Sequence, residues 1–150
     1  MQNQPIIIRV DGEPKGQGRP RAFVRGGHAA VFNPNTADDW KALIAAAAMK
    51  VRPVEPIAPP FRVDIDFFFA RPGRLKRKRD PKGLLWHTAK PDRDNLDKAV
   101  LDILTQIGFL DDDKGACCGR LRKFYCTMNG SEADRQGALI TISRLTPEDL

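Results

Sequence analysis

Asp94-Asn95-Leu96-Asp97-Lys98-Ala99-Val100-Leu101-Asp102-Ile103-Leu104-Thr105-Gln106-Ile107-Gly108 is the stretch from which the rest of the chain is read. Leu96, Ala99, Val100, Ile103, Leu104 and Ile107 recur at the i, i+3, i+4, i+7 spacing of one buried helical face. Gly108 stands in the position expected just past a helix C-terminus. The pattern predicts a helix over residues 94–107 whose apolar stripe needs a partner layer. At ~100° per residue, Asp94, Lys98 and Asp102 share a polar strip opposite that face.

Upstream, Ile6, Ile7, Ile8 and Val10 make a β-branched run that stops at the turn pair Asp11-Gly12, which predicts a first strand. Residues 13–27, rich in Gly, Pro, Lys and Arg, read as a basic loop. Thr36 is a good helix N-cap, with Asp38 and Asp39 in the first turn and an Ala-rich stretch running to Val51, which predicts a first helix. Pro53, Pro56, Pro59 and Pro60 then make a stiff connector. Val63, Ile65, Phe67 and Phe69 alternate with Arg62, Asp64 and Asp66 in the two-residue rhythm of a second strand. Residues 71–83 gather Arg71, Arg74, Lys76, Arg77, Lys78, Arg79 and Lys82 around the single acid Asp80, a second basic loop expected to be mobile without a partner. Residues 115–127 and 138–145 read as two further strands, joined through Asn129-Gly130. The order β-α-β-α-β-β predicts an α/β or α+β fold in which a mixed sheet of about four strands is packed by two helices. A length of 150 residues suits one domain spanning residues 1–150.

Twenty-five Lys plus Arg against nineteen Asp plus Glu leave a formal charge of +6, which favours a polyanionic partner, nucleic acid first. The longest wholly apolar run, residues 42–49, is far short of the ~18 residues that span a bilayer, and the first residues lack the build of a signal peptide. A cytoplasmic protein without a membrane partner is expected. Cys117, Cys118 and Cys126 contain no C-x-x-C pair, so they read as core or strand-lining thiols. With one Tyr, two Trp and eight Phe, recognition of a nucleic-acid backbone is expected over a stacking platform for single strands.

The chemistry concentrates around the helix over residues 94–107. Asp92 and Asp94 sit two residues apart at its mouth, Lys98 follows one turn later, and Asp111-Asp112-Asp113 comes after its end. Phosphodiester hydrolysis needs what this set supplies: hard oxygen ligands for Mg²⁺, a water acidified by the cation, and a positive charge near the developing phosphorane. The plain alternatives are an Asp94 N-cap, an Asp94–Lys98 i, i+4 ion pair and a solvated triple-Asp loop. His87, just upstream, reads either as a group touching the scissile phosphate or as a packing residue, and Trp86 and His28 carry no signal beyond packing or exposure. A helix of fourteen residues spans ~21 Å, so Asp113 starts far from Asp92 and Asp94. Six residues, 108–113, if nearly extended, cover ~20 Å, just enough to return alongside the helix within one chain. The alternative takes the third carboxylate from a second subunit, and a mixed dimer of Asp94→Asn and Asp113→Asn chains separates the two. Lys15, Arg19, Arg21, Arg74, Lys76, Arg77, Lys78, Arg79 and Lys123 are the expected phosphate contacts. Leu101, toward the polar side of the helix, is a candidate subunit contact.

Lys90-Pro91-Asp92-Arg93-Asp94-Asn95-Leu96-Asp97-Lys98, with Gly108-Phe109-Leu110 and Asp112-Asp113 behind it, resembles the signature of RusA-type crossover-junction endodeoxyribonucleases, the RusA family of Holliday-junction resolvases. The likeness runs from Lys90 to Asp113 and more loosely over the opening strand with Lys15-Gly16 and Arg19-Pro20-Arg21. It implies a RusA-like fold, a homodimer that resolves four-way junctions by paired nicks in recombination and repair, and dependence on Mg²⁺, with Mn²⁺ as a substitute and no small-molecule cofactor. It also implies active-site roles for Asp92, Asp94, Lys98 and Asp113, with the three aspartates as metal ligands. Here Lys114-Gly115-Ala116 follows the acidic pair where the family has a small residue, Gln and an apolar residue, and Asp111 precedes it, so Asp112 is the alternate third ligand. A less selective branched-DNA nuclease and a non-catalytic basic DNA-binding module are the competing readings.

Overall fold

In the computed structural model, which describes residues 4–18, 21–32 and 37–150, the chain folds around one long central strand. That strand is β4 (Phe61–Phe69). Before it come β1 (Ile6–Asp11), β2 (Arg21–Arg25), β3 (His28–Phe32) and α1 (Asp38–Met49); after it come β5 (Leu85–Trp86), α2 (Arg93–Gln106), β6 (Ala116–Cys118), β7 (Leu121–Tyr125) and β8 (Gly137–Arg144). Strands β1-β8-β4-β7-β5 lie side by side in that order, with β6 also on β4. β8 runs antiparallel to both β1 and β4, whereas β7 and β6 run parallel to β4. The fold is α+β, a mixed sheet with two helices in a single domain, as the sequence pattern predicts.

The alternation in β4 sorts its two faces. Phe61, Val63, Ile65, Phe67 and Phe69 point into the core, where Ile8, Val10, Ile140 and Ile142 join them from β1 and β8. Both helices cover this face, α1 through Trp40, Ile44 and Ala48, α2 through Leu96, Ala99, Val100, Ile103 and Leu104. The α2 stripe is the one its spacing predicts, and the helix ends at Gln106 with Gly108 following at φ +74°.

Four expectations change. The strands number eight among the described residues, not about four, because two of the extra ones form a separate hairpin, β2 on β3, inside and beyond the basic stretch 13–27. Its turn is Gly26-Gly27, both at positive φ, the two-residue connection that matches strand twist. Residues 115–127 are two strands rather than one. Gly119, at φ +154°, lies so close to β4 that a Cβ there would run into the Val63 carbonyl, so the chain kinks and restarts as β7. At α1 the N-cap position is held by Ala37 without a side-chain bond, and the helix ends at Met49 rather than Val51; Thr36 lies outside the described residues.

The fourth change is in residues 71–83. Arg71 is buried, and its guanidinium donates to the carbonyls of Cys126 (2.7 Å), Leu75 (2.9 Å), Pro81 (2.7 Å) and Gly83 (2.6 Å). The segment expected to be mobile is folded around one of its own cations. An inward guanidinium with its donors satisfied avoids the penalty of an unpaired buried charge.

Candidate active site

Asp92 takes the N-cap position of α2 in an extended conformation, with no side-chain cap bond, and Asp94 follows in the first turn. A carboxylate is favourable there, where the helix dipole is positive. The plain alternatives for these residues therefore do not hold: Asp92 rather than Asp94 is the N-cap, and Lys98 pairs with Asp102 (3.4 Å) rather than with Asp94. Asp102 also faces Lys41 of α1 at 3.9 Å.

After α2 the chain turns back. Ile57 donates to Phe109 O (2.9 Å) and accepts from Asp111 N (3.0 Å), which holds the return in an extended path with Phe109 and Leu110 buried. Asp112 then accepts a bond from Lys114 N (3.1 Å) and caps a short 3-10 turn, Asp113–Gly115, that packs on α2. An open cleft of about 600 Å³ results, with Asp94 and Asp113 of the same chain both on its wall. Arg93, Asp97 and Leu101 of α2 complete one side, and Cys117, Cys118 and Arg120 form the other. Leu101 is half-buried in this wall and packs toward the core, so it is not the exposed contact that its helical position predicts.

Two acids of the cleft, Asp113 and Asp97, resist ionisation. The Asp113 carboxyl is held above the usual carboxylate range, first by its hydrogen bond with Asp112, then by burial and the charges of Asp112 and Asp102, with Lys98 opposing. Asp112 moves the other way, lowered chiefly by the Lys114 backbone N–H. Burial raises Asp97, against the nearby Arg93. Such crowding of negative charge is what a bound cation offsets. Among the described residues no three of His, Cys, Asp and Glu converge closely enough to hold an ion by themselves.

His87 is buried, stacked on Phe69 (3.9 Å between ring centres) with its edge to Tyr125 (4.8 Å). Burial, then the charge of Lys123, lowers its pKa to about 4, so it is neutral at pH 7 and fills the core. Lys123 donates to Ala89 O (2.6 Å), and the Asp92 carboxylate opposes the effect of its burial, which places this lysine beside the start of the motif. Lys15-Gly16 also reaches the motif: Gln17 N donates to Asn95 O (2.9 Å), and a Cβ on Gly16 would lie 2.9 Å from Asn95 Cβ. Arg74, Lys76, Arg77, Lys78 and Arg79 are exposed on loop 71–83. Arg19 and the side chain of Arg21 lie outside the described residues.

Thus Asp94 and Asp113 share the cleft, Lys98 stands within charge reach of Asp113, and Asp92 sits at the helix mouth beside Lys123. Sequence reasoning missed Asp97, Arg93 and Arg120 as wall residues. Asp94, Asp97 and Leu101 do follow the i, i+3, i+7 spacing of one face, a usable signal; Arg120 had none, because its place depends on the kink at Gly119.

Residues 11–132 match the family described as Endodeoxyribonuclease RusA. A Bacillus subtilis (strain 168) protein, named Uncharacterized protein YqaN, is 34% identical over 125 residues, or 80% of this chain and 87% of that one. The chain belongs to the RusA family of endodeoxyribonucleases. Among the described residues no helix is long and apolar enough to cross a membrane.

Proposed function

We propose that this protein is a divalent-metal-dependent, structure-selective endonuclease that acts as a homodimer on branched DNA, cutting paired strands of a four-way junction. The observation that carries this reading is the approach of Asp94 and Asp113, from opposite ends of α2, to one cleft within one chain. A family of endodeoxyribonucleases and a net charge of +6 supply the polyanionic substrate.

The donor set fits a hard cation such as Mg²⁺ or Mn²⁺, since the acids on the cleft wall offer carboxylate oxygens and the charge crowded around Asp113 is left to be offset. Asp94 and Asp113 would hold it, with Asp92 completing the set from the helix mouth and Asp112 spent on its cap. When bound, the ion supplies Lewis-acid activation of the scissile phosphodiester. Arg93 and Arg120 clamp the flanking phosphates, and Lys98 offsets the negative charge that grows on the phosphoryl oxygens. Lys15, Arg74, Lys76, Arg77, Lys78, Arg79 and Lys123, with Arg19 and Arg21, hold the arms through their backbones. A two-fold dimer matches the near two-fold symmetry of a junction with two equivalent sites.

The test is cleavage of a synthetic four-way junction and of a matched linear duplex, each with Mg²⁺ and with EDTA. Paired symmetric nicks on the junction alone, lost in EDTA and at least about 100-fold weaker in Asp94→Asn and in Asp113→Asn, are expected. Cuts spread equally over forks and flaps would make it a general branched-DNA nuclease. Tight binding without metal-dependent cutting would leave a DNA-binding module.

A further inference from the structure

The face of the sheet turned away from both helices carries an aromatic row that the cleft does not use. Trp86 stacks on Phe124 (ring centres 5.0 Å apart, 23° between planes), and Phe124 on Phe68 (6.0 Å, 23°). Arg122 lies against the Phe124 ring at 5.2 Å and Arg9 against Phe68 at 5.3 Å. Phe124 and Phe68 are buried, whereas Trp86 is 67% exposed. Trp40, the other tryptophan, is 1% exposed in the core.

The indole is therefore held rather than left loose. Its backbone is paired to Phe124 through the β5–β7 ladder, and its ring rests on the phenyl beneath. An aromatic side chain fixed in this way loses little freedom on taking a partner. Loop 71–83 leads directly to it: Lys82 is four residues before Trp86, at most ~13 Å of extended chain, and Arg74, Lys76, Arg77, Lys78 and Arg79 precede Lys82. On the opposite side of β7, Lys123 stands beside the α2 motif.

We propose that Trp86 is a stacking site for an unpaired nucleobase of the DNA substrate, with the adjoining phosphates held by loop 71–83. An exposed π face reached through a basic loop matches a base and its backbone. The surround argues against an apolar protein partner, because the same face carries the ion pairs Arg62–Asp64 (3.0 Å) and Arg122–Asp66 (2.7 Å). A two-fold contact with a second copy through this patch would bring two basic loops together, like charge against like charge. The site would favour branched DNA in which single-stranded nucleotides are exposed near the cut. This rests on the DNA substrate proposed above but is read by binding rather than cutting.

The experiment uses the full chain in EDTA, with tryptophan fluorescence reporting binding of a twenty-nucleotide oligo-dT and anisotropy of labelled DNA reporting a blunt duplex. Because Trp40 is shielded, oligo-dT should quench the Trp86 emission saturably. Trp86→Ala, followed by anisotropy, should weaken oligo-dT binding at least ten-fold and duplex binding less than two-fold, while Trp86→Tyr restores most of the loss. Unchanged oligo-dT affinity in Trp86→Ala overturns the proposal, as does an equal loss on both DNAs. A shift from dimer to monomer with oligo-dT affinity unchanged would instead make this face a subunit contact. Junction cleavage by wild type tells the two readings apart: cutting with a normal Trp86→Ala complex sinks only the stacking site, and stacking without cutting sinks only the nuclease function.

Discussion

Two segments of this protein are built from the same few residue types and have different structures. Residues 13–27 and 71–83 are both rich in Gly, Pro, Lys and Arg, and both read as basic loops. The first is part docking strap, through Gln17 N to Asn95 O, and part β-hairpin around Gly26-Gly27. The second has little regular structure beyond one 3-10 turn, Gly73–Leu75, yet it closes around the buried Arg71, whose guanidinium collects four carbonyls. Ladder pairing organises one and a single inward cation the other. Charge density alone therefore says nothing about whether a basic segment is ordered; what matters is whether one of its cations turns in and finds acceptors.

The contrast can be broken most forcefully at Arg71. Arg71→Ala should cost about 3 kcal/mol in urea unfolding, because four carbonyls lose a charged donor, whereas Arg74→Ala should stay within about 0.5 kcal/mol. Arg71→Lys should recover only part, since an ammonium has three donors and no fork. Equal effects at positions 71 and 74 would remove the distinction.

His87 lies four residues beyond the end of loop 71–83. Its folded pKa, about 4, lies below the ordinary 6.5, so the unfolded chain takes up the proton first as pH falls. Its contribution is full above pH 6.5 and lost by pH 4, about 3 kcal/mol in all. In His87→Gln this part of the acid sensitivity should vanish while the carboxylate part remains, which urea midpoints at pH 7 and pH 4.5 would show.

For the hairpin the lever is its turn. Gly26→Val, at φ +59°, should cost about 1–2 kcal/mol, and with Arg71 intact it should leave loop 71–83 as protected from proteolysis as before. The smallest effect on folding is expected from the outward cations. The triple variant Lys76→Ala, Lys78→Ala, Arg79→Ala should keep its melting temperature, yet lower the salt slope of DNA binding by about 0.9 for each lost phosphate contact. A slope that does not move would mean that these side chains are only solvated.

Much of this was legible in the sequence where a period could be counted. The α2 stripe and the alternation of β4 follow from spacing, whereas the length of residues 108–113 allowed the return toward Asp94 without deciding between one chain and two. What stayed hidden depends on contacts between distant residues. Arg71 differs from Arg74 only in following Phe67-Phe68-Phe69-Ala70 closely enough to be drawn inward. The split at Gly119 is set by the Val63 carbonyl, 56 residues earlier in the chain, and Arg120 entered the cleft wall as a result. For the candidate site, Asp94 and Asp113 carry the motif signal, while Asp97 and Arg93 share a helix face with Asp94 and Leu101 that spacing alone makes visible. Trp86 carried no signal at all, because exposure of one side chain on an edge strand is a property of the finished sheet.

Asp94 and Asp113 reach their cleft from a single chain, and this has a consequence for inheritance. On the proposed dimeric function, a cell carrying one intact gene copy and one encoding Asp94→Asn would still assemble mixed pairs with one complete site each. Such a pair makes a one-sided cut and leaves the two duplexes joined by a strand. The defect would show as accumulated half-processed DNA, in a share set by the random pairing of subunits, rather than as a simple loss of enzyme.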